Sequence, residues 1–160
     1  MRRLQIIGIM LACLIATPTI AEEPDSAKTA EDEWPVVESV TVRVRHRVWA
    51  KFKEEAKVEI GDEFQIGDTE YTARVVRFVP DFAMKMKSKE IVSRSPEPNN
   101  PAVRIIVMEN EEPADTTWAF TQELPHYGRL SLLAFQIIRI DFEGREPIVV
   151  PDTLETEDSL

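Results

Sequence analysis

Two histidines, His46 and His126, and the methionines Met84 and Met86 are the side chains whose types could hold a metal or the iron of haem. A zinc site takes three or four His, Cys or carboxylate ligands, and these histidines stand far apart with no paired spacing. Axial ligation of haem by His126 with Met84 or Met86 is allowed by ligand type, but the CxxCH attachment motif is absent. His46 shares its parity with Val40, Val42, Val44 and Val48, which predicts a position facing the core or its edge. Met84 and Met86 alternate with Lys85 and Lys87, a pattern that places one side against protein and the other in water. Ser93, Ser95 and Ser131 lack the glycines of a nucleophile elbow. Asp62, Glu63 and Asp68 could line a calcium site in a hairpin, yet their spacing fits no EF-hand loop, and acids in turns commonly serve as turn formers. No catalytic, metal or cofactor-binding set is therefore assigned, and haem or metal carriage by His126 with Met84 or Met86 stands as the alternative function.

Recognition rather than reaction is the chemistry the remaining residues suit. Ser93 to Val103 reads SRSPEPNNPAV, with three prolines and two adjacent asparagines ahead of an apolar run. Each X-Pro step drives the preceding residue to extended geometry, so Ser95, Glu97 and Asn100 are expected to be extended before any partner arrives. Asparagine side chains can also bond nearby backbone, as in Asx-turns, which gives Asn99 and Asn100 a purely architectural use. A stiff loop loses little entropy on binding. On that ground Asp81, Phe82, Ser95, Asn99, Asn100 and Pro101 are the candidate partner-binding residues. Phe82, Trp118 and Phe120 are expected to fill the core.

Strands must position these residues. Val40 to Val48 alternates apolar residues with Thr41, Arg43, Arg45 and Arg47, the signature of a half-buried strand with a solvated basic face. Further strands are expected over Lys57 to Phe64, Thr69 to Val79, Glu90 to Ser93, Val103 to Met108, Thr116 to Thr121 and Leu132 to Asp141. Gly61-Asp62 and Gly67-Asp68 suit tight turns, so a hairpin or bulged bend is expected there. Phe52 to Val58 and Ser131 to Phe135 are the candidates for a helical turn. The fold class is all-β: a single small antiparallel β-sandwich or barrel of about seven strands with disordered acidic tails.

The ends carry the remaining signals. Arg2 and Arg3 precede an apolar run from Leu4 to Ala16 and small residues before Glu22. This order predicts a signal peptide over 1–21, cleaved after Ala21, and so a periplasmic or secreted chain. Leu11-Ala12-Cys13 gives a second reading, a lipidated Cys13, against which stand Met10 and the continuation of the apolar core beyond the cysteine. Residues 22–33 and 147–160 are rich in acids and proline and read as a disordered linker and tail, leaving 34–146 as the β domain. Cys13 is the sole cysteine, so its loss with the leader would exclude disulfides and thiolate chemistry. The chain carries a formal charge of -10, and losing Arg2 and Arg3 would make this -12. Charge of this sign opposes binding to nucleic acid or anionic membrane as a whole and favours cationic partners.

The order Phe78-Val79-Pro80-Asp81-Phe82, Ser93-Arg94-Ser95, Pro98-Asn99-Asn100-Pro101-Ala102-Val103 and Trp118-Ala119-Phe120 resembles a segment, about residues 71–120 here, of the soluble extracytoplasmic domain of ResB-type cytochrome c biogenesis proteins. The resemblance implies a β-rich domain outside the cytoplasmic membrane that helps bring haem and apocytochrome together. The residues it covers are Pro80, Asp81, Phe82, Asn99, Asn100, Pro101, Trp118 and Phe120. Those proteins carry several transmembrane helices, whereas this chain has no apolar run beyond its leader long enough to span a bilayer. Their haem-handling histidines match neither His46 nor His126, so the haem function is not carried over. The expected function is a secreted, non-catalytic β domain that binds or assembles a protein partner in the cell envelope, with a link to cytochrome c biogenesis.

Overall fold

The computed structural model describes residues 30–122 and 131–151. A short 3-10 helix, Ala30–Glu33, leads into ten strands: β1 Val37–His46, β2 Lys53–Val58, β3 Glu63–Gln65, β4 Tyr71–Val79, β5 Phe82–Met84, β6 Ile91–Ser93, β7 Ala102–Glu109, β8 Glu112–Phe120, β9 Leu133–Phe142 and β10 Arg145–Val149. The protein is all-β, as the alternation predicts. Its main sheet follows the order β2-β1-β9-β8-β7-β4-β3, with β10 added on β9, while β5 and β6 pair as a separate hairpin. The two ends of this path, β2 and β3, meet, so the sheet nearly closes into a barrel.

Neighbouring strands are antiparallel except β8 and β9, which run parallel and bridge at Phe120 and Gln136. The interior is lined by Val40, Val42 and Val44 from β1, Ala73 and Val75 from β4, Val103, Ile105 and Val107 from β7, and Ile137 and Ile140 from β9. β-Branched side chains dominate because they pack well on a pleated, half-buried surface. Two bulges keep apolar residues inward where simple parity would fail. Opposite β1 the register steps from Arg139 to Ile137, which turns both Ile137 and Ile140 into the core. A second step between Val75 and Arg77 does the same for Val75 and Phe78.

Several expected boundaries move. Lys53–Val58 is a strand rather than a helical turn, because its backbone pairs with β1 and Glu55 sits opposite Arg43. Ser131 to Phe135 likewise forms the entry to β9. Lys57 to Phe64 is not one strand: Gly61, with φ of 105°, breaks it between β2 and β3. Residues 147–149, assigned to the tail by composition, belong to β10, where Ile148 pairs with Ile140. Val48 does not continue the buried parity of β1, since the strand ends at His46 and Val48 is exposed. Arg43 is buried rather than solvated, with its guanidinium 2.9 Å from Glu55.

Candidate functional site

The β5–β6 hairpin folds across one end of the outer face of β4, β7 and β8, and the proline-rich loop fixes it there. Phe82 N–H donates to the Asn100 carbonyl at 2.9 Å, and the Asn100 side-chain amide donates back to the Phe82 carbonyl at 3.2 Å. Asp81 and Asn100 bridge as parallel strands. The Asp81 carboxylate is buried and accepts from Arg94 at 2.6 Å, while the Asp81 N–H donates to Ser93 Oγ. Ser93 Oγ donates to the Ser95 carbonyl at 2.7 Å, and Asn99 Nδ2 donates to Ser95 Oγ at 3.1 Å. The structure thus brings all six candidate contact residues together, with Pro101 buried beneath them. Their polar atoms are largely engaged with one another or with Ser93 and Arg94, leaving Asn99 as the exposed member.

Phe82, Trp118 and Phe120 are half-buried and form a cluster of their own rather than joining the barrel interior. Phe82 meets Trp118 with ring centroids 5.0 Å apart and Phe120 at 4.9 Å, both edge to face, an arrangement aromatic quadrupoles favour. They seal the underside of the hairpin against β8. One row further along the sheet, Arg77, Arg104 and Trp118 fall opposite one another across β4, β7 and β8. With Glu90, Ile91 and Thr116 they line an open cleft of about 450 Å³.

Two of the residues in that cleft already have partners. Arg77 pairs with Glu31 and lies 5.8 Å from the Trp34 ring centre. Glu90 pairs with Lys85 at 2.8 Å. Arg104 is exposed and makes no ion pair among the described residues. Arg77, Arg104 and Ile91 are not found by reading for chemical motifs. The signal for Arg104 is its place in Val103-Arg104-Ile105, a polar residue between two fully buried ones, which fixes it on the outer face.

The other candidate residues lie elsewhere. His46 ends β1, where Nδ1 accepts the N–H groups of Val48 and Trp49 at 3.1 and 3.2 Å, and its ring stacks on Trp49 at 4.4 Å. Met84 and Met86 are exposed, and His126 lies outside the described residues. Asp62 and Glu63 sit in and beside the β2–β3 turn, while Asp68 is in the next turn, between β3 and β4. The Glu63 carboxylate accepts from Arg74 at 2.8 Å, and its pKa is lowered by hydrogen bonds from Thr72 and Arg74. No group of three or more metal-ligating His, Cys, Asp or Glu occurs among the described residues.

A second, smaller cavity of about 300 Å³ opens where β8 and β9 diverge, with Val107, Leu132 and Leu133 as apolar walls. Its polar groups are joined in pairs, Tyr71 to Glu109 at 3.0 Å and Ser131 to Asp115. The Glu109 carboxylate raises the Tyr71 pKa through its hydrogen bond. No family model, curated protein or solved structure matches this chain.

Proposed function

We propose that this protein is a non-catalytic binding or assembly module of the cell envelope that grips an acidic, extended segment of a protein partner in the cleft beside the β5–β6 hairpin. The observation that carries this reading is Arg104, exposed and without an ion pair among the described residues, set in register beside Trp118. An exposed guanidinium donates two parallel N–H bonds to a carboxylate, and the Trp118 ring on the neighbouring strand offers apolar surface to the atoms beside it. Ile91 supplies an apolar wall, and the hairpin clamped by Asn100 holds that wall in place before a partner arrives. The Pro and Asn residues act here as the frame of the site, and Arg104 and Trp118 as its contact surface. Placement in the envelope follows from the leader-like N-terminus, and a partner from cytochrome c assembly is the form the ResB-type resemblance suggests.

Arg104→Glu tests the proposal, because the residue is exposed and its replacement should leave the fold intact. Partners cross-linked from an envelope extract to the wild-type chain should be lost from the variant while its circular dichroism and thermal midpoint stay unchanged. A variant that captures the same partners as the wild type would remove the cleft from consideration.

A further inference from the structure

The β5–β6 hairpin forms a sheet of its own, and its hydrogen bonds show which of its main-chain groups are free. Arg94 N–H donates to the Asp81 carbonyl at 3.0 Å and Lys85 N–H to the Glu90 carbonyl at 2.9 Å. Bonded and non-bonded pairs alternate along an antiparallel ladder, so Ala83 and Val92 are bonded, whereas Phe82–Ser93 and Met84–Ile91 turn their N–H and C=O groups outward. On the β5 side Asn100 takes both groups of Phe82. On the β6 side the main-chain N–H and C=O groups of Ile91 and Ser93 have no hydrogen-bond partner among the described residues.

This edge differs from the others that the sheets leave open. β2 carries Lys53, Glu54, Glu55 and Lys57, β8 carries Pro113 and Asp115, and β10 carries Pro147, residue types that discourage a further strand from pairing. Ile91-Val92-Ser93 has neither charge nor proline. Register partners, and residues two apart on a strand, share a face, so Ile91 lies on the face of Phe82, whose ring meets Trp118 on the barrel. There Ile91 borders the cleft that holds Arg104. A residue set opposite Ile91 by a third strand points the same way, into that cleft. The acids beside the edge are already paired, Glu90 with Lys85 and Asp81 with Arg94. Lys87 and Lys89 at the hairpin tip are exposed and make no ion pair among the described residues, which leaves the surroundings of the edge favourable to negative charge.

We propose that the acidic segment enters as a third strand on β6, its main chain bonded to Ile91 and Ser93 and the carboxylate of the residue opposite Ile91 set on Arg104. Strand addition draws affinity from main-chain hydrogen bonds and selectivity from the side chains of alternate residues. Resting on the reading of the Arg104 cleft as the binding site, this mode narrows the partner to an extended segment with an acid whose two neighbours face water. Proline is excluded at the paired positions, because it has no N–H to give the ladder.

Three blocked peptides serve as probes: Thr-Val-Thr-Glu-Thr-Val-Thr, its counterpart with lysine in place of glutamate, and the glutamate form N-methylated at its three central residues. Titrated into the full chain, the glutamate peptide should shift the NMR signals of the Ile91 and Ser93 amides and slow their exchange with solvent. Ile91→Pro removes an outward donor and no bond to β5, so circular dichroism should be unchanged while peptide affinity falls about fivefold, as loss of one hydrogen bond implies. Ile91→Val keeps the donor and should bind like wild type. N-methylation removes the same class of bond without altering the protein, and should weaken the peptide at least as much. Arg104→Glu should abolish binding of the plain peptide. If the N-methylated and plain peptides bind equally and Arg104→Glu abolishes both, strand addition is overturned and the Arg104 cleft stands. No binding of the glutamate peptide, or equal binding of the lysine peptide, would overturn both.

Discussion

Asn100 shows how one side chain can set the shape of a loop. Its carbonyl accepts from Phe82 N–H and its amide donates to the Phe82 carbonyl, so it satisfies both backbone groups of the residue whose ring covers Trp118 and Phe120. Asn99, one position earlier and exposed, bonds Ser95 Oγ instead. The two asparagines should therefore behave differently on substitution. Asn100→Ala removes a half-buried hydrogen bond and exposes an unsatisfied carbonyl, at a cost of about 1 kcal/mol. That should lower the thermal midpoint by about 4 °C for a domain of this size. Asn99→Ala should leave the midpoint within about 1–2 °C, as most exposed substitutions do. Equal midpoints for the two variants would show that Asn100 does not clamp the hairpin.

The β7–β8 hairpin turns on two residues, Asn110 and Glu111, between the register pair Glu109 and Glu112. Both have positive φ, 51° and 67°, which is the type I′ geometry that matches strand twist and favours Asn-Gly. Glutamate is strained there, and this explains why the turn is hard to read from sequence: the asparagine is present but the glycine is not. Glu111→Gly should remove the strain and raise stability by about 0.5–1 kcal/mol, read as a rise in the midpoint for chemical denaturation. No rise would mean that the strain is relieved elsewhere in the hairpin. The same contrast governs what was legible in the chain. Strands with strict alternation, such as β1 and β7, could be read because one buried face imposes a period of two. Lys53–Val58 could not, since its side chains are mostly charged and its strand state comes from pairing with β1. Ser95, Asn99, Asn100 and Pro101 are neighbours along the chain, while Asp81 and Phe82 meet them only through the Phe82–Asn100 hydrogen bonds and the Asp81–Asn100 bridge. The row Arg77, Arg104 and Trp118 exists only through cross-strand register, which no local pattern carries.

Across the whole molecule, charge ties three strands together at Asp141. Its carboxylate accepts from Ser39 on β1 at 2.9 Å and from Arg139 on β9 at 2.7 Å, and pairs with Lys57 on β2 at 3.0 Å. Lys57 and Arg139, helped by Ser39, lower its pKa from the ordinary 3.8 to about 2. A carboxyl held below its unfolded value contributes stability at pH above that value and loses it as pH falls through the folded one. The contribution is therefore complete above about pH 5, mostly lost by about pH 2 and gone near pH 1, below both pKa values. Protonation of the other acids adds its own pH dependence: it relieves repulsion in this chain of net charge -10 down to the isoelectric point near 4.8, and below that it builds positive repulsion instead. Acid titration of the wild type alone would mix the two effects, and Asp141→Asn separates them. Between about pH 5 and 7 the wild type should be more stable than the variant, and the gap should close as pH falls toward about 2. The check is the urea midpoint of both proteins across that range. A gap that does not change with pH would mean that Asp141 acts through hydrogen-bond geometry available equally to asparagine, and that charge does not hold β1, β2 and β9 together.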